Sequence, residues 1–272
     1  TGLARCVSFL ALAALCVTGA GTAQAAQGDT PAYKAPAYSG IRFTEDWSGL
    51  KKVGGDGGDF FDPIKYIPLN DEGDIYLSFG GQARLRLEGW SNFNFGANGA
   101  GPAACRPHAD ISRPTALLRH ADLHVTRHFR VFVEGKSALA TDRDLLGARR
   151  GLDEDDLDLQ NAFFDFWFPI TDTEASVTIR VGRQELLFGK QRLVSPLDWA
   201  NTRRMFDGVS GIIKFGDWTL TPFYTMPVPV QKYKFNDIAD DSYFAGLYTT
   251  GKVPGVPEIG IDLYWLILQK DA

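Results

Sequence analysis

Residues 75–89 read Ile-Tyr-Leu-Ser-Phe-Gly-Gly-Gln-Ala-Arg-Leu-Arg-Leu-Glu-Gly, and their alternation decides the fold. Ile75, Leu77, Phe79, Ala83, Leu85 and Leu87 share one side, and Ser78, Gln82, Arg84, Arg86 and Glu88 share the other. A period of two is that of an extended strand, whose side chains point alternately to opposite faces. Globular strands run about 5 to 6 residues, whereas a tilted strand needs about 9 to 11 to cross a bilayer. The stretch therefore predicts a membrane strand with its apolar side on lipid and its arginines toward a water-filled interior.

Similar alternation returns at Leu117 to Thr126, Phe129 to Leu139, Leu157 to Phe168, Val177 to Leu187 and Phe206 to Phe215. It returns again at Trp218 to Met226, Tyr243 to Thr250 and Ile259 to Leu268, giving nine candidate strands and no amphipathic helix. His120, Asp122 and His124 share one face; Arg130, Glu134 and Lys136 oppose Val131 and Val133; Asp262 and Tyr264 oppose Ile261, Leu263, Trp265 and Ile267. Arg119 falls in an apolar phase, where an arginine costs about 2 to 4 kcal/mol at midplane and near zero at the interface, so it is expected at the strand's outer end.

Connections alternate in length. Ser91 to Thr115, Ala140 to Asp156, Phe188 to Met205 and Val228 to Ser242 are long, whereas Thr126 to Phe129, Pro169 to Ala175 and Gly216-Asp217 are short. Outer-membrane barrels sort their loops in this way, with short periplasmic turns and long external loops; a β-sandwich has no reason to. The fold class expected is all-β, an antiparallel transmembrane β-barrel of the bacterial outer membrane. Bacterial barrels close with an even number of strands and nine is odd. The chain also lacks an initiating Met and stops at Asp271-Ala272 directly after an apolar strand, so a partial barrel is expected.

Arg5, the apolar run from Val7 to Val17 and the small-residue stretch Ala23-Gln24-Ala25 read as a secretory signal peptide over residues 1–25. Cys16 invites a lipoprotein reading, but Leu15 stands where such a site wants a small residue. Residues 26–73 then form a periplasmic segment ahead of the barrel, and residues 74–272 the partial barrel. Removal of the leader leaves Cys105 alone, so no internal disulfide forms. Cys105, His108 and Asp110 share a Gly/Pro-rich loop but lack metal-site spacing, and no metal or cofactor is expected. The formal net charge of −5 argues against a nucleic-acid partner.

Several motifs occur in fixed order: Gly182-Arg183-Gln184-Glu185-Leu186, Phe188-Gly189, Arg192-Leu193-Val194, Asn201, Arg203-Arg204 and Phe206-Asp207-Gly208. Ahead of them stand Glu45-Asp46-Trp47 and Phe61-Asp62-Pro63-Ile64-Lys65-Tyr66-Ile67-Pro68-Leu69. Together, from about Ile41 to Leu268, they resemble the alginate-export porin family. The resemblance implies a barrel of 18 strands, of which this chain supplies about the first half, passing an anionic uronate polysaccharide through an arginine-rich constriction. Ser210 departs from the pattern, which has a larger or basic residue there. Partners implied are the polymer, outer-membrane lipid and periplasmic export components.

A uronate polymer carries one carboxylate per sugar, so a conduit needs fixed positive charge inside low-dielectric walls. Arg84, Arg86, Arg130, Lys136 and Arg180 have the polar register for it, and arginine holds a carboxylate with two parallel hydrogen bonds. Glu88, Asp122, Glu134 and Asp165 are placed to compete for those cations, as are Glu185 and Asp207 beside Arg183; alternatively all are cross-strand pairs that keep a lumen soluble. Strict alternation turns Arg183 and Glu185 toward lipid unless a bulge at Gly182 switches them inward or they lie beyond the hydrocarbon. The fourth strand changes phase too, from Leu157 and Leu159 to Ala162, Phe164, Phe166 and Phe168.

Lys190 to Arg204, with Arg192, Asp198, Arg203 and Arg204, is read as an external loop, with a lumen constriction as the alternative. Asp153 to Asp156 is read as a solvated acidic run. The function expected is an outer-membrane channel for an anionic polysaccharide. Alternatives are a general porin for small organic acids or oligosaccharides and, more remotely, a barrel enzyme using His120, Asp122 and His124; no catalytic residue is assigned.

Overall fold

The computed structural model describes residues 33–91, 109–141, 150–253 and 255–270. The leader, Cys105 and His108 lie outside the described residues. The strands are β1 (Ile67–Pro68), β2 (Tyr76–Leu85), β3 (Glu88–Ser91), β4 (Ala109–Thr126), β5 (Phe129–Thr141) and β6 (Asp155–Pro169). They continue as β7 (Ser176–Gln184), β8 (Met205–Phe215), β9 (Trp218–Val228), β10 (Ser242–Val253) and β11 (Val256–Lys270). Ten of them follow one another as β1-β2-β4-β5-β6-β7-β8-β9-β10-β11, and β3 pairs beside β2 on β4. Every pairing is antiparallel.

Residues directly opposite one another share a face, which lets whole rows be read across the sheet. Leu77, Leu123, Val131, Phe164, Val181, Val209, Tyr224, Ala245 and Ile267 form one such row, apolar along its full length. One residue along lies Tyr76, His124, Arg130, Asp165, Arg180, Ser210, Phe223, Gly246 and Leu266. The two faces are thus sorted into an apolar one and one carrying the charges. Phe79, Val133, Phe164, Phe166, Ile179, Val181 and Val209 on the apolar face are all exposed, the inverse of a soluble sheet. No helix among the described residues is long and apolar enough to cross a membrane.

All nine stretches expected to be strands are strands, with adjustments that have local causes. The first breaks after Leu85, and its tail resumes as β3 on β4. β4 begins eight residues before Leu117, since it must pair with β3 as well as β2. β7 stops at Gln184, and Glu185–Leu187 leave the sheet. Arg119 stands in the middle of β4 rather than at an end; Gly81 and Gly135 lie opposite it on either side, so no neighbouring side chain crowds it. The phase change in β6 is a register shift that leaves Gln160 extra between Leu159 and Asn161.

The connections obey the expected parity. Arg127-His128, Ile170 to Ala175 and Gly216-Asp217 are tight, the last with Gly216 at φ 53°, a conformation a two-residue hairpin turn favours. Residues 185–204 and 229–241 are long and stand at the opposite end of the strands.

Ahead of the sheet, residues 33–66 fold at its short-turn end. A helical turn, α1 (Asp62–Lys65), and a 3-10 turn at Ser48–Val53 bury Trp47, Leu50 and Tyr66 against Tyr76 at the start of β2. Lys65 joins Asp62 at 3.0 Å and Asp59 at 3.2 Å, with its ammonium 4.3 Å from the Trp47 ring centroid.

Candidate functional site

On the charged face, the strand arginines of the half nearer the short turns are paired with carboxylates. Arg180 donates twice to Asp165, at 2.7 Å each. Arg130 donates to both oxygens of Asp122, at 2.7 and 2.8 Å, and lies 3.7 Å from Asp165. These are bidentate forks between adjacent strands, the geometry that holds a carboxylate most firmly. His124 stands 3.3 Å from Asp122 and stacks on Tyr76, while His120 stacks on Phe132. Among the described residues, no group of three His, Cys, Asp or Glu could hold a metal ion.

A second element covers these paired arginines. A short 3-10 turn, Arg42–Thr44, lays Phe43 edge-on against Phe132 and Phe163, with ring centroids 6.0 and 5.5 Å apart. Arg180 sits over both Phe43 and Phe163, at 4.6 and 3.8 Å from their centroids, and Arg130 donates to the Phe43 carbonyl at 3.0 Å. Arg42 donates to Glu45 and, at 2.9 Å, to the carbonyl of Gly81 on β2. The turn is fixed by the compact segment behind it. Asp62 there is buried, which disfavours its charge, yet hydrogen bonds from the Asp59 and Gly57 amides and from Lys65 hold its carboxyl below the ordinary value. Burial likewise opposes the Lys65 ammonium, but contacts with Tyr38, Asp62 and Asp59 outweigh it and raise Lys65 above an ordinary lysine.

The connection 185–204 crosses the charged face instead of leaving it. Leu186, Phe188 and Val194 pack on Phe223 of β9 and Tyr248 of β10. A Cβ at Gly189 would collide with both Tyr248 and Asp262, so the chain runs close over β10 and β11. The segment then returns to β2. Arg84 donates to the carbonyl of Asp198 at 2.5 Å and to that of Ala200, and Arg86 donates to the carbonyl of Trp199 at 2.5 Å. The Asn201 amide reaches the carbonyls of Thr115, Leu139 and Asp153 at 3.2, 3.0 and 2.8 Å. This settles the two readings of 190–204 against the external loop: apolar anchors at one end and arginine clamps at the other draw it across the face.

Between the two inserts lies a buried polar layer. Glu185 accepts from Gln160 at 2.6 Å, and Arg203 lies 3.5 Å from it while donating to Gln82 at 3.0 Å. Asn161 donates to Glu134 at 3.0 Å and accepts from the Glu185 amide. Lys136 pairs with Asp155 at 2.8 Å and lies 4.0 Å from Asp158. The acidic run is therefore not a solvated face: Glu154 and Asp155 are buried, and Asp155 also accepts from Asn236 at 2.7 Å.

Arg183 stands opposite Ala162 and Asp207, in outward register. It makes a fork on Asp207 at 2.9 Å per bond, and still reaches Asp158 at 3.4 Å and the Asn236 carbonyl at 3.0 Å. No register shift accompanies this, so the cause is not a bulge. Gly182 has φ 126°, open to glycine, and a Cβ there would collide with the Ala162 carbonyl.

Of the expected polymer-binding cations, Arg130, Lys136, Arg180, Arg183 and Arg203 thus face carboxylates, and Arg84 and Arg86 face loop carbonyls, with Glu88 3.1 Å from Arg86. Arg192 and Arg204 are exposed on the inserted segment. The alternation pattern does not point to Phe43, Gln160, Asn161, Asn201 or Asp158, and it gives Gln82 only a place on the polar side; Gln82, Gln160 and Asn161 contact the segment 185–204 through Arg203 and Glu185. Asn201 alone stood within a recognised motif.

A family model described as alginate export matches residues 75–272. No curated protein and no solved structure matches the chain.

Proposed function

The chain belongs to the alginate export family, and we propose that its charged face is the wall of an outer-membrane channel through which an anionic polysaccharide passes. The observation that carries this reading is the inversion of the sheet. Exposed apolar rows cover one face, and the other holds charged residues together with two inserts that narrow the space beside it. Lipid is the natural solvent for the first face, and water and a polyanion for the second.

The arrangement divides the labour among cations. Ion pairs near the short turns keep charge density low, so a polymer is not trapped by a series of strong forks. Around the inserted segment, Arg84, Arg192 and Arg204 have no carboxylate partner at salt-bridge distance among the described residues. Positive potential is therefore concentrated there, in a narrow space that focuses the field, as many weak contacts rather than one strong site. Passage of the polymer in this reading needs no step of bond making.

The test is the reversal potential of the purified full-length protein in planar bilayers under a salt gradient, followed by addition of polyuronate. Anion selectivity with current block by the polymer supports the reading. Cation selectivity, or block by small organic acids with indifference to the polymer, contradicts it in favour of a general porin.

A further inference from the structure

Most exposed aromatic rings on the strands belong to the apolar face, Phe164, Phe166, Phe168 and Trp265 among them, while Tyr264 is exposed on the charged face. Trp199 and Phe235 are exposed off the strands. Each lies on a long connection at the opposite end from the short turns, and each is mostly exposed, at 61% and 62%. A flat aromatic ring exposed on a pinned segment offers a face on which an apolar surface can stack.

The backbone around each ring is firmly held. Trp199 has its own carbonyl and those of its two neighbours bound by Arg84 and Arg86, and the Ala200 amide donates to Leu197 at 2.9 Å. Asn201 then ties the segment to the carbonyls of Thr115 on β4, Leu139 on β5 and Asp153 just ahead of β6. Beside Phe235, Asn236 donates to Asp155 and Asp158, and its carbonyl accepts from Arg183 at 3.0 Å. The backbone that carries these two rings is held on several sides, so each ring is presented from a fixed point on its segment.

Resting on the reading of the charged face as a polysaccharide channel, we propose that Trp199 and Phe235 are stacking platforms for pyranose rings of the cargo, and that Arg84 and Arg86 are positioning residues that present the indole. A pyranose has an apolar face of C–H bonds and a polar rim. Laid on a flat aromatic ring, it removes apolar area from water on both partners and leaves its hydroxyls and carboxylate in solvent. The uronate carboxylate then faces cations on the same segment, where Arg192 and Arg204 are exposed. Stacking supplies attraction that does not depend on salt, and the cations supply preference for the charged sugar.

The experiment compares dwell times of current block by an oligouronate of fixed length in planar bilayers, using the full-length protein and the variants Trp199→Ala, Trp199→Phe and Phe235→Ala. Trp199→Ala is expected to shorten the dwell about tenfold, the effect of losing roughly 1.4 kcal/mol. Trp199→Phe should recover much of it, and the reversal potential should not change, since no charge is altered. Equal dwell times in wild type and Trp199→Ala overturn the proposal while leaving the channel reading intact. So does a loss that Trp199→Phe fails to recover, or one accompanied by an equal change in selectivity, either of which assigns the effect to a displaced segment. Absence of any block in the wild type overturns the channel reading and this proposal together.

Discussion

Arg180 and Arg84 occupy the same face of the same sheet, yet the first ends on a carboxylate and the second on backbone carbonyls. At the short-turn half, Arg130 and Arg180 alternate with Asp122 and Asp165, and the local charge cancels. At the half covered by residues 185–204, Arg84 donates to the carbonyls of Asp198 and Ala200 and has no carboxylate at salt-bridge distance among the described residues. The difference teaches that an arginine's register predicts which face it serves, whereas its partner decides whether it holds the wall together or sets the field inside it.

The largest way to break this comparison is Asp165→Ala. It leaves Arg180 buried without its fork and removes a neighbour of Arg130, and losing one partner of a buried pair costs about 3 to 5 kcal/mol. Urea unfolding of the folded protein in detergent should show the loss, and replacing Arg180 and Asp165 together by leucine should restore most of it. A single variant as stable as wild type would mean that the pair is not structural.

Asp62→Asn tests whether the segment carrying Phe43 is docked by its own ion pair. Removing the charge that accepts from two amides and Lys65 should cost about 1.5 to 3 kcal/mol at neutral pH. The Asp62 carboxyl is held low when folded, so its contribution exists above the unfolded value near pH 3.8 and fades as pH falls through the lower folded value. Lys65 is raised, so its contribution is complete below about 10.5 and is lost as pH climbs through the folded value. Protease nicking of residues 33–75 should therefore be slowest between those limits, and Asp62→Asn should flatten the acid side. An unchanged acid limb in the variant would contradict the assignment.

Gly182→Ala sharpens the comparison from the boundary between the halves. The alanine must adopt φ 126° or move β6, a strain of roughly 1 to 3 kcal/mol. It should also turn Arg183 away from Asp158. A crystal structure of the variant with Arg183 unmoved would contradict the role given to this glycine.

The smallest effect on stability is expected from Arg84→Gln with Arg86→Gln, about 1 kcal/mol, since both side chains are partly exposed and glutamine retains a donor. Limited proteolysis should nonetheless cut near Trp199 several-fold faster. Protection equal to wild type would mean that Asn201 and the apolar anchors suffice to hold the segment.

The strands were legible because membrane strands alternate, and alternation survives in sequence. Loop parity was legible too, since lengths need no coordinates. What escaped was whatever depends on a break in period. Asp155 and Asp158 flank register shifts in β6, so counting by twos cannot put them beside Lys136. Gly182 changes direction through φ without adding a residue, which a bulge argument misses. Phe43 reaches Arg180 from more than a hundred residues away, and no local pattern encodes that contact.

The most direct test of the account compares reversal potentials of two charge-altered proteins under the same salt gradient: Arg84→Gln with Arg86→Gln, and Arg180→Gln with Asp165→Asn. The account predicts that the first variant shifts selectivity toward cations, while the second, which removes one charge of each sign, stays close to wild type. A shift in the second pair with none in the first would show that the paired arginines set the field, and would contradict the division drawn between the two halves.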